Sequence, residues 1–440
     1  MAFGLMFLGA ALGAPFDYWL SYMTTSNRDR FYDVAVDSDG NSVSVGDTLS
    51  TTLGGNNALI VKHDQQGNVL WQKAVGSSAS ELARGVAVDA SNNIYVSINK
   101  TSTLVLVKYS PSGVLQWQRA IQAATSNEYT GRLAVDSVGN IYLVNHSTGE
   151  FGTAYDIYIF KYNSSGVLQW QRKLGNTNAD FGTSVAIDSA DNIYVSGYTQ
   201  ISFGSGTSYK IMVAKLNSSG SLQWERSVGG DTYHMYGNDI AVDENDDVVV
   251  VGYKATGQSM YLAKFNSSGT VQWQRAFGVT PGTNQAYAVT TDSANNIYAI
   301  GLTVTAEGLG AGEIVIVKYS SSGTLQWQRI LSGSDTEYGY GITVDSNDNL
   351  VIAAHTVSSA GLGDWDALTI KLPNDGNWPT TINVNGTPFV YKASSSPSNI
   401  ETSTSVLSGF GLFATSSKSE ISSTLTDVQT SLINYNIGIG

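Results

Sequence analysis

Cysteine is absent from this sequence, and charged residues are scarce. The chain has 440 residues and no cysteine, which excludes disulfide bonds and thiolate metal sites and leaves the compartment open. Only 13% of the residues are charged, and the formal net charge is -13 at pH 7. Phosphate binding needs clustered lysine and arginine, so this balance argues against a nucleic-acid partner.

The apolar run at the N-terminus is too short to span a membrane. Residues 1–15 read MAFGLMFLGAALGAP and carry no charge. A bilayer takes about 20 apolar residues, and a secretory signal would place lysine or arginine before such a run. Two interpretations remain: a charge-poor signal ending near Gly13 and Ala14, or an apolar arm buried in an assembly. We favour the arm, and its plainer alternative is packing on the protein's own surface.

An internal repeat dominates the rest of the chain. Residues 318–345 read KYSSSGTLQWQRILSGSDTEYGYGITVD, with a lysine, a tryptophan nine residues later, an arginine and a final Val-Asp. This pattern recurs about every fifty residues, which indicates a repeat architecture. The tryptophans of complete copies are Trp71, Trp117, Trp170, Trp224, Trp273 and Trp327.

The repeated residues number seven, and the two ends of the chain complement each other. Lys371 has Thr380 in place of the tryptophan, whereas Trp19 precedes Asp37 at the motif spacing with no repeat lysine before it. This is typical of a closed ring cut inside one repeat. The aspartates are Asp37, Asp89, Asp136, Asp188, Asp243, Asp292 and Asp345, and the lysines are Lys62, Lys108, Lys161, Lys215, Lys264, Lys318 and Lys371.

Each unit predicts four short strands. In the fifth unit, runs of Val, Ile, Tyr and Trp at 237–242, 248–253, 259–265 and 271–277 are bounded by Gly, Asn, Asp and Ser. Four strands per repeat match the blade of a β-propeller, a ring that protects its sheet edges. The sequence therefore predicts an all-β fold, a seven-bladed β-propeller of four-stranded antiparallel blades.

The N-terminal strand is predicted to close this ring. We expect residues 18–22 to pair with the strand ending near Lys371, with Trp19 in the docking position. Trp378 is the competitor, but Pro379 follows it, and proline removes a ladder donor.

Three regions follow: an apolar arm at 1–15, the propeller at 16–378, and a Ser/Thr-rich linker and assembly tail at 379–440. Pro397 and the serines before it predict a linker. A helical spacing predicts a weak helix that would need a partner for stability. Its apolar residues are Ile421, Leu425, Val428 and Leu432.

The turn and fourth strand of each unit resemble the tryptophan-docking motif of quinoprotein propellers. The fourth copy, residues 214–224, reads AKLNSSGSLQW, with Ala, Ser, Gly and Trp at matching places. The resemblance implies that the indole packs between adjacent blades. The acidic position of that motif is Leu216 here, so no quinone, cofactor or redox activity is implied. The docking role is transferred to Trp19, Trp71, Trp117, Trp170, Trp224, Trp273 and Trp327.

Residues 16–378 resemble the β-propeller repeats of bacterial surface proteins and of marine and cyanobacterial phage virion proteins. The resemblance rests on units such as KYNSSGVLQWQR and AIDSADNIYVSGYT. It implies a structural or binding role and carries no catalytic residues. We therefore expect a non-enzymatic virion protein of the phage tail, fibre or baseplate, with other virion proteins, copies of itself and a host-surface glycan or protein as partners. The alternative is a bacterial surface adhesin that binds glycans.

The spacing of Asp, Asn and His residues in the sequence does not predict a metal site. The turns at 37–41 and 345–349 resemble calcium loops, but Asp and Asn also close their own turns. The sequons at Asn163, Asn217 and Asn266 occupy the repeat hairpin turn, which explains them without glycosylation. Four histidines share no spacing that would suit a metal. They are His63, His146, His234 and His355.

Candidate binding residues lie in the variable loops, where propellers usually carry them. A glycan hydrolase is the less favoured alternative. It would need a pair of carboxylates in a cleft, and no arginine cluster outside the repeat supports a sialidase-like site. The non-repeat acids are Glu81, Glu128, Glu150, Asp231, Glu307 and Glu313. The aromatic candidates, for which packing between blades is the alternative, are Tyr198, Phe203, Tyr209, Tyr233, Tyr236, Tyr338 and Trp365.

Overall fold

The computed structural model forms a ring of seven antiparallel sheets. It describes residues 2–7, 18–24, 27–49, 55–76, 80–100, 103–122, 131–148, 154–203, 206–229, 233–255, 259–279, 283–304, 311–357, 364–377, 381–384, 387–393, 397–401 and 406–408. These residues contain 33 strands and no helix. The predicted seven-bladed, four-stranded propeller is confirmed.

The blades are numbered from the first complete one, and their strands run outward from the axis in chain order. Blade 1 contains β3 (Asp29–Val36), β4 (Ser42–Leu49), β5 (Asn56–His63) and β6 (Val69–Val75). Blade 2 contains β7 (Glu81–Val88), β8 (Ile94–Lys100), β9 (Thr103–Tyr109) and β10 (Leu115–Gln122). Blade 3 contains β11 (Leu133–Val135), β12 (Ile141–Thr148), β13 (Tyr155–Tyr162) and β14 (Leu168–Leu174). Blade 4 contains β15 (Asp180–Ile187), β16 (Ile193–Phe203), β17 (Gly206–Leu216) and β18 (Leu222–Val228).

The remaining blades follow the same order, and the last one draws its outer strand from the N-terminus. Blade 5 contains β19 (Met235–Val242), β20 (Val248–Lys254), β21 (Ser259–Phe265) and β22 (Val271–Val279). Blade 6 contains β23 (Thr283–Thr291), β24 (Ile297–Val304), β25 (Glu313–Tyr319) and β26 (Leu325–Ser332). Blade 7 contains β27 (Glu337–Val344), β28 (Leu350–Thr356), β29 (Asp366–Leu372) and β2 (Trp19–Thr24).

The ring closes through β2, as the sequence predicted. This strand pairs antiparallel with β29, and Trp19 lies opposite Lys371. The outer strand of blade 7 therefore comes from the start of the chain and its three inner strands come from the end. Because one sheet contains both, the blade cannot form from either end alone.

Four blades carry additional strands on their outer edges. β1 (Ala2–Phe7) pairs with β2, so these residues of the apolar arm lie against their own blade. The C-terminal tail pairs backwards around the ring: β31 (Thr387–Ala393) with β26, β32 (Pro397–Glu401) with β22, and β33 (Val406–Ser408) with β18. β30 (Thr381–Val384) pairs with β31. These strands satisfy backbone groups that an outer edge otherwise leaves unpaired.

The tail differs from the linker predicted around Pro397. Pro397 begins β32 and lies opposite Val279, a first position on an edge strand where proline costs little. The predicted helix, from Ile421 to Leu432, lies outside the described residues. No helix in the described part of the chain is long and apolar enough to cross a membrane.

The apolar core lies between the blades. Each of seven buried clusters joins two neighbouring blades, as where Ile300 and Ile314 of blade 6 meet Ile352 and Leu368 of blade 7. The same cluster includes Phe389 and Tyr391 of the tail. Because both sides of each sheet face another sheet, the strands are apolar on both faces, which explains their nearly continuous runs of Val and Ile. The other six clusters join the remaining neighbours around the ring.

The two faces of the ring are built differently. Strands alternate in direction, so the turns after the first and third strands share one face, which we call the hairpin face. The connections after the second and fourth strands share the opposite face, the loop face. The repeat aspartate, lysine and tryptophan all lie at strand ends on the hairpin face. The loop face is left to residues that do not repeat.

Candidate binding face

Buried ion pairs organise the hairpin face. Lys264 Nζ lies 2.7 Å from Asp243 Oδ2 and 3.3 Å from Asp247 Oδ2. Asp243 Oδ1 accepts the N–H groups of Asn245 and Asp247, both at 3.0 Å. Each repeat therefore ties its third strand to its own first turn. The equivalent pairs are Lys62–Asp37, Lys108–Asp89, Lys161–Asp136, Lys215–Asp188, Lys318–Asp292 and Lys371–Asp345.

The repeat tryptophans contact the next blade. Trp224 Nε1 donates to Ser267 O at 3.0 Å, and Lys215 Nζ donates to the same oxygen at 3.4 Å. Gly269 in that turn has φ +80, and a Cβ there would lie 2.7 Å from the indole. Glycine is needed for both the backbone and the ring. The matching indole contacts are Trp19–Gly67, Trp71–Gly113, Trp117–Gly166, Trp170–Gly220, Trp273–Gly323 and Trp327–Gly376.

The repeat arginine completes this junction. Arg226 Nε donates to Gly269 O at 2.8 Å, and its guanidinium lies 5.5 Å from the centre of the Trp224 ring. A cation on an indole face adds electrostatic attraction to the hydrogen bond. The repeat motif thus joins each blade to the next. Its polar groups form ion pairs and hydrogen bonds within the same blade or with the next one. The equivalent arginines are Arg119, Arg172, Arg275 and Arg329.

The calcium-like turns and the sequons use their oxygens to close turns. Asp37 Oδ1 accepts the N–H groups of Asp39 and Asn41 at 3.0 and 2.8 Å, and Lys62 contacts Oδ2 at 2.7 Å. Asn217 Oδ1 accepts two turn N–H groups in the same way, as do Asn163 and Asn266. The four histidines lie in blades 1, 3, 5 and 7. In the described part of the chain, no group of three or more His, Cys, Asp or Glu could hold a metal.

The loop face carries an arc of aromatic rings over blades 4 and 5. Tyr198 lies 5.5 Å from Tyr209 and 5.0 Å from Tyr236, measured between ring centroids. Tyr236 also stacks on Tyr253 at 5.1 Å. The predicted Tyr198, Tyr209 and Tyr236 therefore form one cluster with Tyr253, which was not predicted, and this cluster crosses a blade boundary. Lys254 lies 4.0 Å from the ring of Tyr233, and the side chain of Phe203 lies outside the described residues.

A second aromatic group lies on blades 6 and 7. Trp365 stacks with Tyr338 at 5.6 Å and contacts His355 at 4.8 Å. Tyr340 stacks with Tyr338 at 5.9 Å and with Tyr287 at 4.6 Å. Both predicted residues, Tyr338 and Trp365, are half-buried in this group.

A regular β-bulge in the innermost strands brings further residues to the axis. The strand register shifts five residues before the repeat aspartate in six blades. A bulge inserts one extra residue and re-aims its side chain, often beside a site. We call these six residues the bulge ring, and they are Tyr32, Arg84, Thr183, Asn238, Tyr287 and Tyr340.

Arginines outside the repeat gather beside the bulge ring, a grouping that linear order does not reveal. Arg30 donates two hydrogen bonds to Asp47, at 3.0 and 3.2 Å, and Arg28 lies 3.5 Å from the same carboxylate. Arg84 stacks on the ring of Tyr32, with 4.2 Å from guanidinium carbon to ring centroid. Arg30 belongs to blade 1 and Arg84 to blade 2, so the packing of these two blades brings together arginines that are far apart in the chain.

Arg132 reaches across the axis below the bulge ring. Its guanidinium forms an ion pair with Asp33 of blade 1 and donates to the carbonyl oxygens of Tyr32 and Tyr340, both at 3.3 Å. Asp239 of blade 5 also attracts this cation. Burial raises the pKa of Asp33 and of Asp239, and the arginine works against that rise. This crosslink between blades 1, 3 and 7 has no counterpart in the repeat.

The non-repeat acids fall in separate places. Glu81 pairs with Lys100 at 3.4 Å in blade 2, and Glu313 is buried in blade 6. Glu128, Glu150, Asp231 and Glu307 lie outside the described residues. A buried carboxyl that the sequence analysis missed is Glu337, which accepts the N–H of Gly333 at 2.7 Å and the hydroxyl of Thr356 at 2.9 Å.

Comparison with known proteins agrees with this architecture. A model of the β-propeller repeat family matches residues 169–204. The chain is a propeller repeat protein. It is 25% identical over 226 residues to an uncharacterized WD repeat-containing protein of Acanthamoeba polyphaga mimivirus, a match that covers 47% of this chain and 14% of that protein.

Solved structures match most of the chain at low identity. A mutant of the NanB sialidase from Streptococcus pneumoniae is 11% identical, with 80% of this chain and 69% of that chain covered and a TM-score of 0.42. The extracellular domains of Drosophila Semaphorin 1b are 9% identical, with 80% and 86% covered and a TM-score of 0.46. No substrate or partner is transferred from these proteins.

Proposed function

We propose that this propeller is a non-enzymatic structural protein of a phage particle, associated with the tail, fibre or baseplate. Propellers are platforms for interaction with other proteins, and here the loop face carries described aromatic residues that the repeat does not require. The loop face would bind a neighbouring virion protein or the host surface. Fold alone does not give function, so the proposal rests on how the two faces differ.

The observation that carries the proposal is the division between these faces. On the hairpin face, Lys264, Trp224 and Arg226 direct their polar atoms to the same or the next blade. On the loop face, Tyr338 and Trp365 are half-buried aromatic residues that the repeat does not require. Aromatic residues and arginine are enriched at the centres of binding interfaces. A mimivirus relative is consistent with a viral setting.

Mass spectrometry of purified virions tests the proposal. We expect peptides of this chain at a stoichiometry typical of a tail or baseplate component, retained after density-gradient purification. Its absence from virions together with its presence in a bacterial envelope fraction would overturn the proposal and favour a surface adhesin. The aromatic arc is the observation that supports this second candidate, because glycan-binding sites commonly stack sugars on aromatic rings.

The second part of the proposal is that residues 1–15 and 400–440 contact other chains, including copies of this one. The tail already pairs with outer strands of blades 4, 5 and 6 through β33, β32 and β31. Deletion of residues 1–15 and 400–440 together should lower incorporation into particles. Unchanged incorporation would mean that the described end strands only stabilise the chain's own blades.

A further inference from the structure

We propose that the bulge ring binds an acidic sugar, a pyranose that carries a carboxylate, with Arg84 as the residue that pairs with the carboxylate. This inference rests on the proposed function, because it names the ligand of the same loop face. It concerns binding and involves no covalent step.

Arg84 is the cation that the surrounding protein leaves available. Arg30 and Arg28 share Asp47, and Arg132 is paired with Asp33. Arg84 has no carboxylate partner among the described residues, and its buried Nε has no hydrogen-bond partner there. The charge of Arg84 is therefore not neutralised by a carboxylate in the described part of the chain, and a buried charge gains most from a hydrogen-bonded partner of opposite sign. A guanidinium suits a carboxylate because both are planar and can form two parallel hydrogen bonds.

Stacking holds Arg84 in place before any ligand arrives. Its guanidinium carbon lies 4.2 Å from the Tyr32 ring centroid, and Tyr32 Oη donates to Asp47 at 2.7 Å. Tyr32 is in turn in edge contact with Tyr340 at 5.6 Å. A side chain that is already oriented loses less conformational entropy on binding.

The neighbouring rings provide a surface for the body of a sugar. Tyr340 stacks on Tyr287 at 4.6 Å and Trp365 stacks on Tyr338 at 5.6 Å, so one side of the axis is lined by aromatic residues. Ring faces carry negative charge density and attract the partly positive C–H groups of a pyranose. On the other side, the bulge ring contributes Thr183 and Asn238, which are polar.

The local field also favours an anion, despite the net charge of the chain. Burial lowers the pKa of His355 well below its ordinary value, and the nearby Arg30 and Arg28 lower it further. His355 is therefore neutral at pH 7, and the arginines supply the positive charge. Arg28 and Arg30 contact Asp47, and Arg132 is attracted by Asp33 and Asp239, so Arg84 is the arginine of this group with no carboxylate partner among the described residues.

Titration of the full-length protein with matched sugars tests the inference. Sialyllactose and tetragalacturonate are the acidic probes, and lactose is the neutral one. We expect saturable binding of at least one acidic probe and at least about tenfold weaker binding of lactose. Arg84→Gln should weaken binding of the acidic probe by about tenfold or more and leave binding of lactose unchanged. Arg84→Lys should recover part of the loss.

Arg119→Gln is the matched control, since Arg119 lies on the outermost strand of the same blade and contacts the hairpin turn of blade 3. It should leave sugar binding unchanged. Equal binding of lactose and the acidic probes, no binding of either, or an Arg84→Gln variant that binds normally would each overturn the inference. A protein found in virions that fails this titration would refute the ligand and not the virion role. Acidic-sugar binding by a protein that is absent from virions would refute the virion role and not the ligand.

Discussion

Trp19 and Gly67 are in contact across the joint where the two ends of the chain meet. A Cβ on Gly67 would lie 2.5 Å from the Trp19 ring, so the indole packs directly on the glycine backbone. Trp19 Nε1 also donates a hydrogen bond to Gln65 O at 2.9 Å. The indole is 1% exposed. One side chain therefore links the N-terminal strand of blade 7 to blade 1.

Trp19→Ala should destabilise the whole ring. Truncation of a buried tryptophan costs about 3–5 kcal/mol of unfolding free energy. Because the ring is closed by this strand, denaturant unfolding should stay cooperative with a lower midpoint, and amide exchange should accelerate in blades 1 and 7 together. Faster amide exchange limited to residues 19–24, with an unchanged denaturation midpoint, would mean that ring closure adds little to stability.

Glycine is needed beneath each indole for two reasons, the space that the ring takes and the positive φ of the turn, and two substitutions separate them. Gly269→Ala would place a methyl 2.7 Å from Trp224 at φ +80, whereas Gly139→Ala has φ +84 and open space to 3.6 Å. In both variants a residue with a side chain adopts the left-handed conformation, which lowers the free energy of unfolding by about 1–2 kcal/mol. Chemical denaturation should show a further loss for Gly269→Ala alone. Equal losses would indicate that the indole moves aside freely.

The buried lysines should differ in their effect on stability. Lys264 is 2% exposed and contacts Asp243 at 2.7 Å, whereas the Lys108–Asp89 pair is 3.8 Å apart and more exposed. Lys264→Met leaves a buried carboxylate without its partner and should cost about 3–5 kcal/mol. Lys108→Met should cost clearly less in the same urea titration. A reversed order would show that turn hydrogen bonds, not the lysine, stabilise the aspartate.

Glu337 should make stability depend on pH. Burial raises the pKa of its carboxyl to about 8 from an ordinary value of 4.5, and hydrogen bonds from Gly333 and Thr356 only partly offset this. The nearby Glu313 and Asp335 raise it further. The folded protein thus keeps a proton that the unfolded chain releases, so stability falls as the pH rises from about 4.5 to about 8.

Glu337→Gln should remove that dependence. The variant should lose less stability than the parent between pH 5 and pH 8, by an amount on the order of a few kcal/mol. Thermal unfolding over this pH range measures it, with Glu81→Gln as the control because Glu81 already has a lysine partner. Parallel pH profiles for the parent and Glu337→Gln would contradict the raised pKa.

The sequence predicted the fold well because the repeat places each motif residue in the same surroundings seven times. Spacing made Trp19 a candidate for the position opposite Lys371, and Pro379 argued against its competitor Trp378. The tail strands could not be predicted, because edge pairing through the backbone of residues such as Ile400 and Leu407 leaves no side-chain period to detect.

The candidate site was predicted only in part. Tyr338 and Trp365 stood out as loop aromatics, but no sequence pattern singled out Arg84 or Arg132. Arg132 meets Asp33 and Tyr340 because blades 1, 3 and 7 all face the axis, a proximity that linear order conceals. A usable signal was the variable residue five positions before each repeat aspartate, where the bulge lies.

The two faces can be compared directly with a pair of tryptophan substitutions. Trp224→Ala removes an inter-blade contact on the hairpin face, and Trp365→Ala removes a half-buried ring on the loop face. Each variant would be measured for its melting temperature and for binding to host cells per folded molecule. We expect the melting temperature of Trp224→Ala to fall by about 1–3 °C, as a loss of about 1–2 kcal/mol produces in a chain of this size, with cell binding intact. Trp365→Ala should melt closer to the parent and lose cell binding. Loss of binding in Trp224→Ala, with binding preserved in Trp365→Ala, would contradict the assignment of function to the loop face.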